Sequence, residues 1–160
     1  LKTESTMSTR AIQFLIQKKI AFELIKYDHE EKGAEFAAAA TGFSLAATVK
    51  TLVVDLGGKK YTLVLMPGDR QLSMKRLAKA CGVKRAAMAD TRTAERLTGY
   101  LVGGISPFGT KQKLPVVLEA DILTFDKVLI NAGRRGTMLK MTPPDIRKAL
   151  VAKVAAVAQS

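Results

Sequence analysis

The sequence predicts an α+β protein in which a mixed, curled, barrel-like β-sheet is surrounded by helices within one domain. Segments with apolar residues at helical spacing alternate with single short strands. Two apolar strands joined by Gly57-Gly58 predict a tight hairpin. A chain of 160 residues without internal repeats suits one core. Met7 reads like a natural start, so we expect residues 1–8 to be an N-terminal extension and residues 9–160 to form the domain.

The first half of the chain predicts three helices, a strand and the hairpin. Ser8 or Thr9 caps the first helix, with Lys18 and Lys19 in its last turn and these apolar positions facing the core: Ile12, Leu15, Ile16 and Ile20. Alternation predicts a strand over 21–28, and alanines predict a helix over 33–40 that Gly42 stops. The hairpin pairs 51–56 with 61–66. Ser73 caps a helix that ends near Ala80, before Gly82.

The second half predicts four more strands and two more helices. A short strand over 86–89 leads to a helix capped by Asp90 or Thr91 and closed by Gly99. Further strands are expected over 114–119, 127–131 and 138–141. Thr142, followed by Pro143, opens a terminal helix whose inward positions are Ile146, Ala149, Leu150, Val154 and Val157.

The segment Tyr100–Gly109 contains three glycines and a proline and interrupts an apolar run. Gly103 and Gly104 can adopt positive φ and let a ligand approach the main chain, while Pro107 stiffens the segment. Such a loop can hold a carbonyl oxygen, a developing oxyanion or a ribose. A tight turn between two core elements would use the same residue types, so the loop alone does not decide between these interpretations.

Positive charge is the strongest compositional signal. Lys and Arg outnumber Asp and Glu by 26 to 14, for a formal net charge of +12. Between Arg70 and Lys113 there are ten basic residues, Lys111 and Lys113 among them, and two acidic ones. A solvated surface would explain any one charge run, but this excess beside the glycine loop favours contact with phosphates.

Groups that usually carry catalysis are scarce in this sequence. His29 is the only histidine, so no multi-histidine metal site can form. Cys81, the only cysteine, is expected to be a small buried apolar residue in a reducing compartment. No cofactor-binding motif, membrane span or signal peptide is recognised, and a cytoplasmic protein without cofactor or metal is expected.

Lys50 has an unusual neighbourhood for a charged group. The period of a strand places it on the same face as Leu52, Val54 and Leu56. It can snorkel to water, or it can lie at the mouth of an apolar pocket and bind a phosphate, a carboxylate or a carbonyl oxygen. Tyr27 can add a hydroxyl to the same pocket, or it can be a half-buried structural residue.

Taken together, these motifs resemble the YbaK family of aminoacyl-tRNA deacylases, relatives of the editing domain of bacterial prolyl-tRNA synthetases. The resemblance covers nearly the whole chain from Thr9 and is carried by residues 27–29, 49–53, 71–73, 98–107 and 133–136. It implies the barrel-like fold of that editing domain and clearance of cysteine mischarged on proline tRNA. The implied partners are the tRNA acceptor end and prolyl-tRNA synthetase, with no membrane.

The resemblance also implies a set of site residues. Lys50 would be the essential lysine, and the backbone of Gly103 and Gly104 would act on the aminoacyl ester. The implied substrate-binding residues are Tyr27, Thr51, Ser106, Pro107, Asn131 and Met138, and the implied tRNA-binding residues are Arg134, Arg135, Lys111 and Lys113. Asn131 stands where relatives often have serine and Met138 where some have aspartate, so the amino acid that is cleared stays open.

The expected mechanism needs no protein nucleophile. Lys50 and the loop N–H groups would orient the ester carbonyl and stabilise negative charge on it. The attacking group would be the thiol of a cysteinyl substrate, which gives a cyclic thioester, or a water molecule. An Ala-tRNA(Pro) deacylase of the same fold and a non-catalytic module that binds tRNA or a synthetase are the alternatives.

Overall fold

The fold is built on one eight-stranded sheet in the computed structural model, which describes residues 8–27, 38 and 41–160. The helices in these ranges are α1 (Arg10–Gln17), α2 (Met74–Ala80), α3 (Thr91–Thr98) and α4 (Pro143–Leu150), with a 3₁₀ helix at Ala120–Thr124. The strands are β1 (Glu23–Lys26), β2 (Thr48–Gly57), β3 (Lys60–Pro67), β4 (Ala87–Met88), β5 (Val116–Glu119), β6 (Val128–Arg134), β7 (Thr137–Met141) and β8 (Lys153–Ala155).

The sheet is mixed, as predicted, and the α+β class with flanking helices is confirmed. The strand order is β1-β7-β6-β2-β3-β5-β8, and β4 pairs with β2 beside this path. The pairs β2/β6, β3/β5 and β5/β8 are parallel, and the others are antiparallel. None of the helices in the described ranges is long and apolar enough to cross a membrane.

One edge of β2 is left open in the middle of the sheet. β6 pairs with β2 only at Thr48 and Val49, and β4 joins the same edge only from Val53 onward, where the N–H of Ala89, just after β4, donates to the Val53 carbonyl at 3.0 Å. A bulge between Asn131 and Arg134 shifts the register of β6 against β7 just beyond this pairing. Since neither strand bonds to this edge of β2 at residues 50–52, the sheet has a gap there.

The two faces of β2 pack against different clusters. Val49 and Val53 belong to the larger cluster, which includes residues of α1, α3 and α4. Leu52, Val54 and Leu56 belong to or pack on a second cluster that includes Leu77 of α2. The predicted hairpin and the alternation of its first strand are therefore confirmed, and they put the side of the strand that carries position 50 opposite the larger cluster.

The four predicted N-caps are confirmed. The side chains of Thr9, Ser73, Asp90 and Thr142 accept hydrogen bonds from backbone N–H groups in the first turns of α1, α2, α3 and α4. Each bond satisfies one donor that a helix start leaves without an intrahelical partner. Gly99 ends α3 in the left-handed conformation, as predicted.

The first part of the chain departs from the prediction in three places. Ile16 is 54% exposed rather than buried, because α1 ends at Gln17 and its buried side is Ala11, Ile12 and Leu15. Lys18 caps this helix and Lys19 follows it, so neither lies in the last turn. The strand predicted over 21–28 is shorter, at Glu23–Lys26. Apart from Ala38, the helix predicted over 33–40 lies outside the described residues, as do His29 and residues 1–7.

The terminal helix is also shorter than predicted. It ends at Leu150, and Val154 lies in β8, where it pairs with Leu118 of β5. The apolar residues at positions 154 and 157 fit a helical period, but pairing with the free edge of β5 satisfies the backbone and buries Val157 fully. This strand depends on a contact between distant parts of the chain, which local spacing does not encode.

Val151 caps α4 in a conformation that is costly for its side chain. Its φ is +50° and it is 86% exposed, so a β-branched residue occupies a left-handed position without burying its methyl groups. We expect Val151→Gly to stabilise the protein by about 1 kcal/mol and to raise Tm by about 2–4 °C. Thermal unfolding measures this, and Val151→Ala, which keeps the Cβ, should give a clearly smaller increase. A lower Tm for Val151→Gly would contradict the inference that the left-handed conformation of Val151 is strained.

Candidate functional site

A cleft of about 180 Å³ opens at the gap in the sheet. Its walls come from β2, from the β6–β7 hairpin and from the glycine loop, which we define as residues 100–109. Lys50 and Thr51 point to opposite faces of the sheet, and both line the cleft because the sheet has a gap at this point. The lining residues are Tyr27, Thr48, Val49, Lys50, Thr51, Val102, Gly103, Ile105, Asn131 and Met138.

The cleft brings together six of the residues predicted for the site. Lys50 is half-buried in β2, at the first position of the gap. Asn131 and Met138 face each other across β6 and β7, and Tyr27 follows β1, where its N–H donates to the Gly136 carbonyl at 3.0 Å. Thr51 and Gly103 complete the six. These residues are distant in sequence, and only the pairing of β1, β7, β6 and β2 makes them neighbours.

The glycine loop is held by hydrogen bonds at both ends. The Tyr100 hydroxyl donates to the Phe108 carbonyl at 2.6 Å, which ties the two ends of the loop together. The Val102 N–H donates to Glu95 Oε2 of α3 at 2.8 Å. The sequence analysis did not predict that Glu95 and Tyr100 hold the loop. A carboxylate seven residues before its partner and a tyrosine at the edge of a loop have no distinctive sequence pattern.

Gly103 and Gly104 differ in what their N–H groups can do. The Gly104 N–H donates to the Leu101 carbonyl at 2.8 Å, so it is engaged within the loop. Within the described part of the chain, no residue accepts a hydrogen bond from the Gly103 N–H. Because Gly103 also lines the cleft, its N–H is the better placed of the two to donate to a ligand.

Gly103 is packed against the side chain of Arg135. Its φ is +97°, and a Cβ at this position would lie 2.8 Å from Arg135 Nη2 and 3.1 Å from Arg135 Nε. A Cβ on Gly104 would lie 3.1 Å from the Arg135 backbone nitrogen. The loop and the β6–β7 hairpin are therefore in contact across two glycines, and a side chain on either would require its neighbours to shift.

Asn131 lines the cleft, but its amide is used within the protein. Its Oδ1 accepts from the Gly133 N–H at 2.7 Å and from the Arg134 N–H at 3.0 Å. Its Nδ2 donates to the Gly103 carbonyl at 3.4 Å. These bonds shape the bulge of β6 and join it to the glycine loop, so Asn131 supports the cleft walls.

Ser106 and Pro107 lie on the side of the loop that faces away from the cleft. Both are buried, and Ser106 Oγ accepts from the Phe108 N–H at 3.3 Å. Pro107 lines a separate cavity of about 250 Å³, together with Phe14 and Lys113. Neither residue is among those that line the cleft. Both stabilise the part of the loop that faces away from it.

The basic residues predicted to contact tRNA occupy two places. Arg134 is exposed, Arg135 is partly buried against Gly103, and both belong to the β6–β7 hairpin at the cleft. Lys111 and Lys113 are exposed at the far end of the glycine loop, where the Lys111 N–H donates to the Thr98 carbonyl. The loop therefore has cations beside Gly103 and Gly104 and at its base, where its two ends meet.

Cys81 lies away from the cleft and is poorly suited to be a nucleophile. It follows α2 and packs on the second core cluster. Burial raises the pKa of its thiol, and the positive charge of Lys153 opposes this effect only in part. The thiol is therefore protonated near neutral pH, whereas a reactive cysteine needs its thiolate.

The buried hydroxyl of Tyr100 makes the stability of the fold depend on pH. Burial raises the pKa of Tyr100 to about 12, from a reference of 10.0, against the opposing effect of the Arg10 charge. The folded protein keeps this proton more tightly than the unfolded chain, so the stability contribution is complete below about pH 10 and is lost between about pH 10 and 12.

Tyr100→Phe removes the hydroxyl and should therefore lack this pH-dependent contribution to stability. We expect the variant to be less stable at pH 7 by about 1–3 kcal/mol, because the Phe108 carbonyl loses its donor. Urea unfolding of both proteins from about pH 8 to 11.5 measures the difference, in which the titration of lysines cancels. The difference should shrink above about pH 10; a constant difference would contradict the assignment of the raised pKa to Tyr100.

Comparison with known proteins gives one consistent family. The model of the aminoacyl-tRNA editing domain matches residues 29–149. EbsC of Enterococcus faecalis, named as a candidate Cys-tRNA(Pro)/Cys-tRNA(Cys) deacylase, is 31% identical over 148 residues, which are 91% of this chain and 90% of EbsC. ProXp-y of Escherichia coli K12, named as a multifunctional Ser/Thr-tRNA deacylase, is 29% identical over 133 residues, 81% of this chain and 79% of that protein.

A solved structure agrees with these relatives. The crystal structure of a candidate trans-editing enzyme for prolyl-tRNA synthetase superposes on this chain with a TM-score of 0.87 at 25% identity. The superposition covers 94% of this chain and 96% of that protein. The similarity therefore extends over the whole sheet and is not limited to the cleft.

Proposed function

The chain belongs to the aminoacyl-tRNA editing domain family, and on this premise we propose that it is a trans-editing deacylase that cleaves the aminoacyl ester of mischarged tRNA, with Cys-tRNA(Pro) as the substrate. The observation that carries the proposal is that Lys50 and Gly103 line the same small cleft. An ammonium group and an unengaged N–H can together hold an ester carbonyl and stabilise the negative charge that develops on its oxygen.

The described residues suit a reaction in which the attacking group comes from outside the protein. The part of the cleft wall that the structure describes contains neither a cysteine nor a histidine. In the first route, the thiol of a cysteinyl substrate attacks its own carbonyl carbon, the bond to the ribose oxygen breaks, and that oxygen takes up the thiol proton. In the second, water attacks the same carbon and the products are the amino acid and free tRNA.

The size and lining of the cleft favour a small aminoacyl group. Among the described residues that line it, the only ionisable side chains are those of Lys50 and Tyr27, and much of this wall is aliphatic, from Val49, Val102 and Ile105. Cysteine, alanine and serine all fit these limits. EbsC is named as a candidate Cys-tRNA(Pro) and Cys-tRNA(Cys) deacylase and ProXp-y as a Ser/Thr-tRNA deacylase, which favours Cys-tRNA(Pro) as the first substrate. Ala-tRNA(Pro) is kept as the alternative because alanine also fits the cleft.

The cations around the glycine loop support binding of the tRNA acceptor end. Arg134 and Arg135 lie on the cleft side, and Lys111 and Lys113 at the far end of the loop, where they would contact the phosphates that follow the terminal ribose. We place this activity in the cytoplasm, with prolyl-tRNA synthetase as a candidate partner that supplies tRNA identity.

The test is deacylation of four substrates labelled in the amino acid: cysteinyl-, alanyl-, seryl- and threonyl-tRNA(Pro). Loss of cysteine alone is expected, and chromatography of the product separates a cyclic thioester from free cysteine. Loss of alanine alone would move the protein to the alanine-specific class. Salt-sensitive tRNA binding with no loss of any amino acid would contradict the enzyme and leave a binding module.

A further inference from the structure

Two buried polar side-chain atoms in the described part of the chain have no hydrogen-bond partner, and both lie beside the glycine loop. They are Thr51 Oγ1 in β2 and Arg135 Nε in the β6–β7 hairpin. Buried polar groups in folded proteins are nearly always hydrogen-bonded, so each exception needs a reason. Thr51 lines the cleft, which makes its hydroxyl the atom that a substrate could satisfy.

The surroundings of Thr51 restrict what that substrate atom can be. Strand alternation puts Thr51 on the same side of β2 as Val49 and Val53, opposite Lys50. Val49 and Ile105 line the cleft and belong to or pack on the same core cluster. The side chains that the structure describes on this side of the cleft are therefore apolar except for one hydroxyl. A charged α-amino group would be costly to bury there, whereas a neutral side chain with one polar atom would fit.

We propose that Thr51 is a specificity-determining residue whose hydroxyl hydrogen-bonds the heteroatom of the aminoacyl side chain, a thiol or a hydroxyl on the β-carbon. This inference rests on the proposed function and adds the group that separates cysteine and serine from alanine. The protein leaves the Thr51 hydroxyl unsatisfied until a substrate side chain pairs with it. A substrate without a heteroatom leaves it unsatisfied and binds less tightly.

The cleft wall has room for the adjustment that this contact requires. The Thr51 hydroxyl is covered, so a bound side chain reaches it only if part of the wall shifts. Val102 lines the cleft and is 37% exposed, so its side chain can move without disturbing either core cluster. The two glycines that follow it give the backbone the freedom for a small displacement.

Thr51→Val tests the proposal, because valine has the shape of threonine without the hydroxyl. Removing a buried, unpartnered hydroxyl should raise Tm by about 2–4 °C. Thr62→Val is the matched control. The Thr62 hydroxyl is buried in β3 and donates to the Pro115 carbonyl at 2.9 Å, so its loss should lower Tm and leave ligand selectivity unchanged.

Selectivity is measured with non-cleavable analogues, in which an amide replaces the ester between the amino acid and the terminal adenosine. Cysteinyl, seryl and 2-aminobutyryl analogues differ only in the group on the β-carbon: SH, OH or CH₃. Calorimetry on the wild type should give about 3- to 10-fold tighter binding of the two polar analogues than of the 2-aminobutyryl analogue. In Thr51→Val this ratio should fall to about one, as expected from the loss of one hydrogen bond.

Three outcomes would overturn the inference: the first two leave the proposed function in place, and the third removes both. An equal loss of affinity for all three analogues in Thr51→Val would show that the hydroxyl binds a group common to every substrate. A lower Tm for Thr51→Val would show that the hydroxyl is already satisfied in the fold. Failure of the wild type to bind any analogue, combined with no deacylation, would remove the proposed function and this inference with it.

Discussion

Lys50→Ala is expected to lower kcat for deacylation by about 100- to 1000-fold, because the variant loses a group that stabilises charge on the ester oxygen. Lys50 is half-buried at the first position of the gap in β2, so its ammonium group acts where water is partly excluded. The loss should appear in kcat more than in KM, since the developing charge exists only in the transition state.

The fold is expected to survive this change. The aliphatic stem of Lys50 lies at the cleft and not in either core cluster, so the far-UV circular dichroism spectrum and Tm should stay close to those of the wild type. Lys60→Ala is the matched control, because Lys60 is exposed at the start of β3, at the other end of the hairpin. An unchanged kcat in Lys50→Ala would remove this residue from the mechanism.

Gly103→Ala is expected to lower kcat/KM by at least about 10-fold through backbone displacement at the cleft. A Cβ would lie 2.8 Å from Arg135 Nη2, so the loop or the arginine must move. The positive φ of +97° adds backbone strain of about 1–2 kcal/mol. The N–H that we assign to the ester carbonyl moves with this backbone.

Gly57→Ala separates the strain from the effect on the site. Gly57 has a φ of +84° and open space around its Cβ position, at the end of β2 far from the cleft. Both alanine variants should lose similar stability in urea unfolding, and only Gly103→Ala should lose activity. Equal activity losses in the two variants would mean that general destabilisation, and not the position of the Gly103 backbone, causes the effect.

Local sequence signals predicted much of the fold because they act over a few residues. The caps at Ser73, Asp90 and Thr142 each depend on a side chain and the N–H three residues later. The hairpin depends on two apolar strands around a glycine turn, and the end of α3 on Gly99. The prediction was wrong at Val154, because this residue pairs in β8 with the edge of β5, more than thirty residues away in the sequence.

For the candidate site too, the sequence predicted some features, and others depend on contacts between distant segments. The sequence singled out Lys50, Gly103, Asn131 and Met138 as residues of interest, partly through the family resemblance, and the cleft brings them together. It could not indicate that the Asn131 amide is used by the hairpin and the loop, or that the Gly104 N–H donates to Leu101. Those bonds depend on the conformation of each loop after packing.

The sequence by itself determined the α+β class, the positions of the caps and turns, and the pairing of a strand lysine with a glycine loop as the chemical theme. Only the tertiary structure decided that β6 and β4 leave one edge of β2 open at residues 50–52, and that the Thr51 hydroxyl has no partner there. The physical reason is range: a cap or a turn is settled by neighbours in sequence, whereas a gap in a sheet results from where distant strands start and stop pairing.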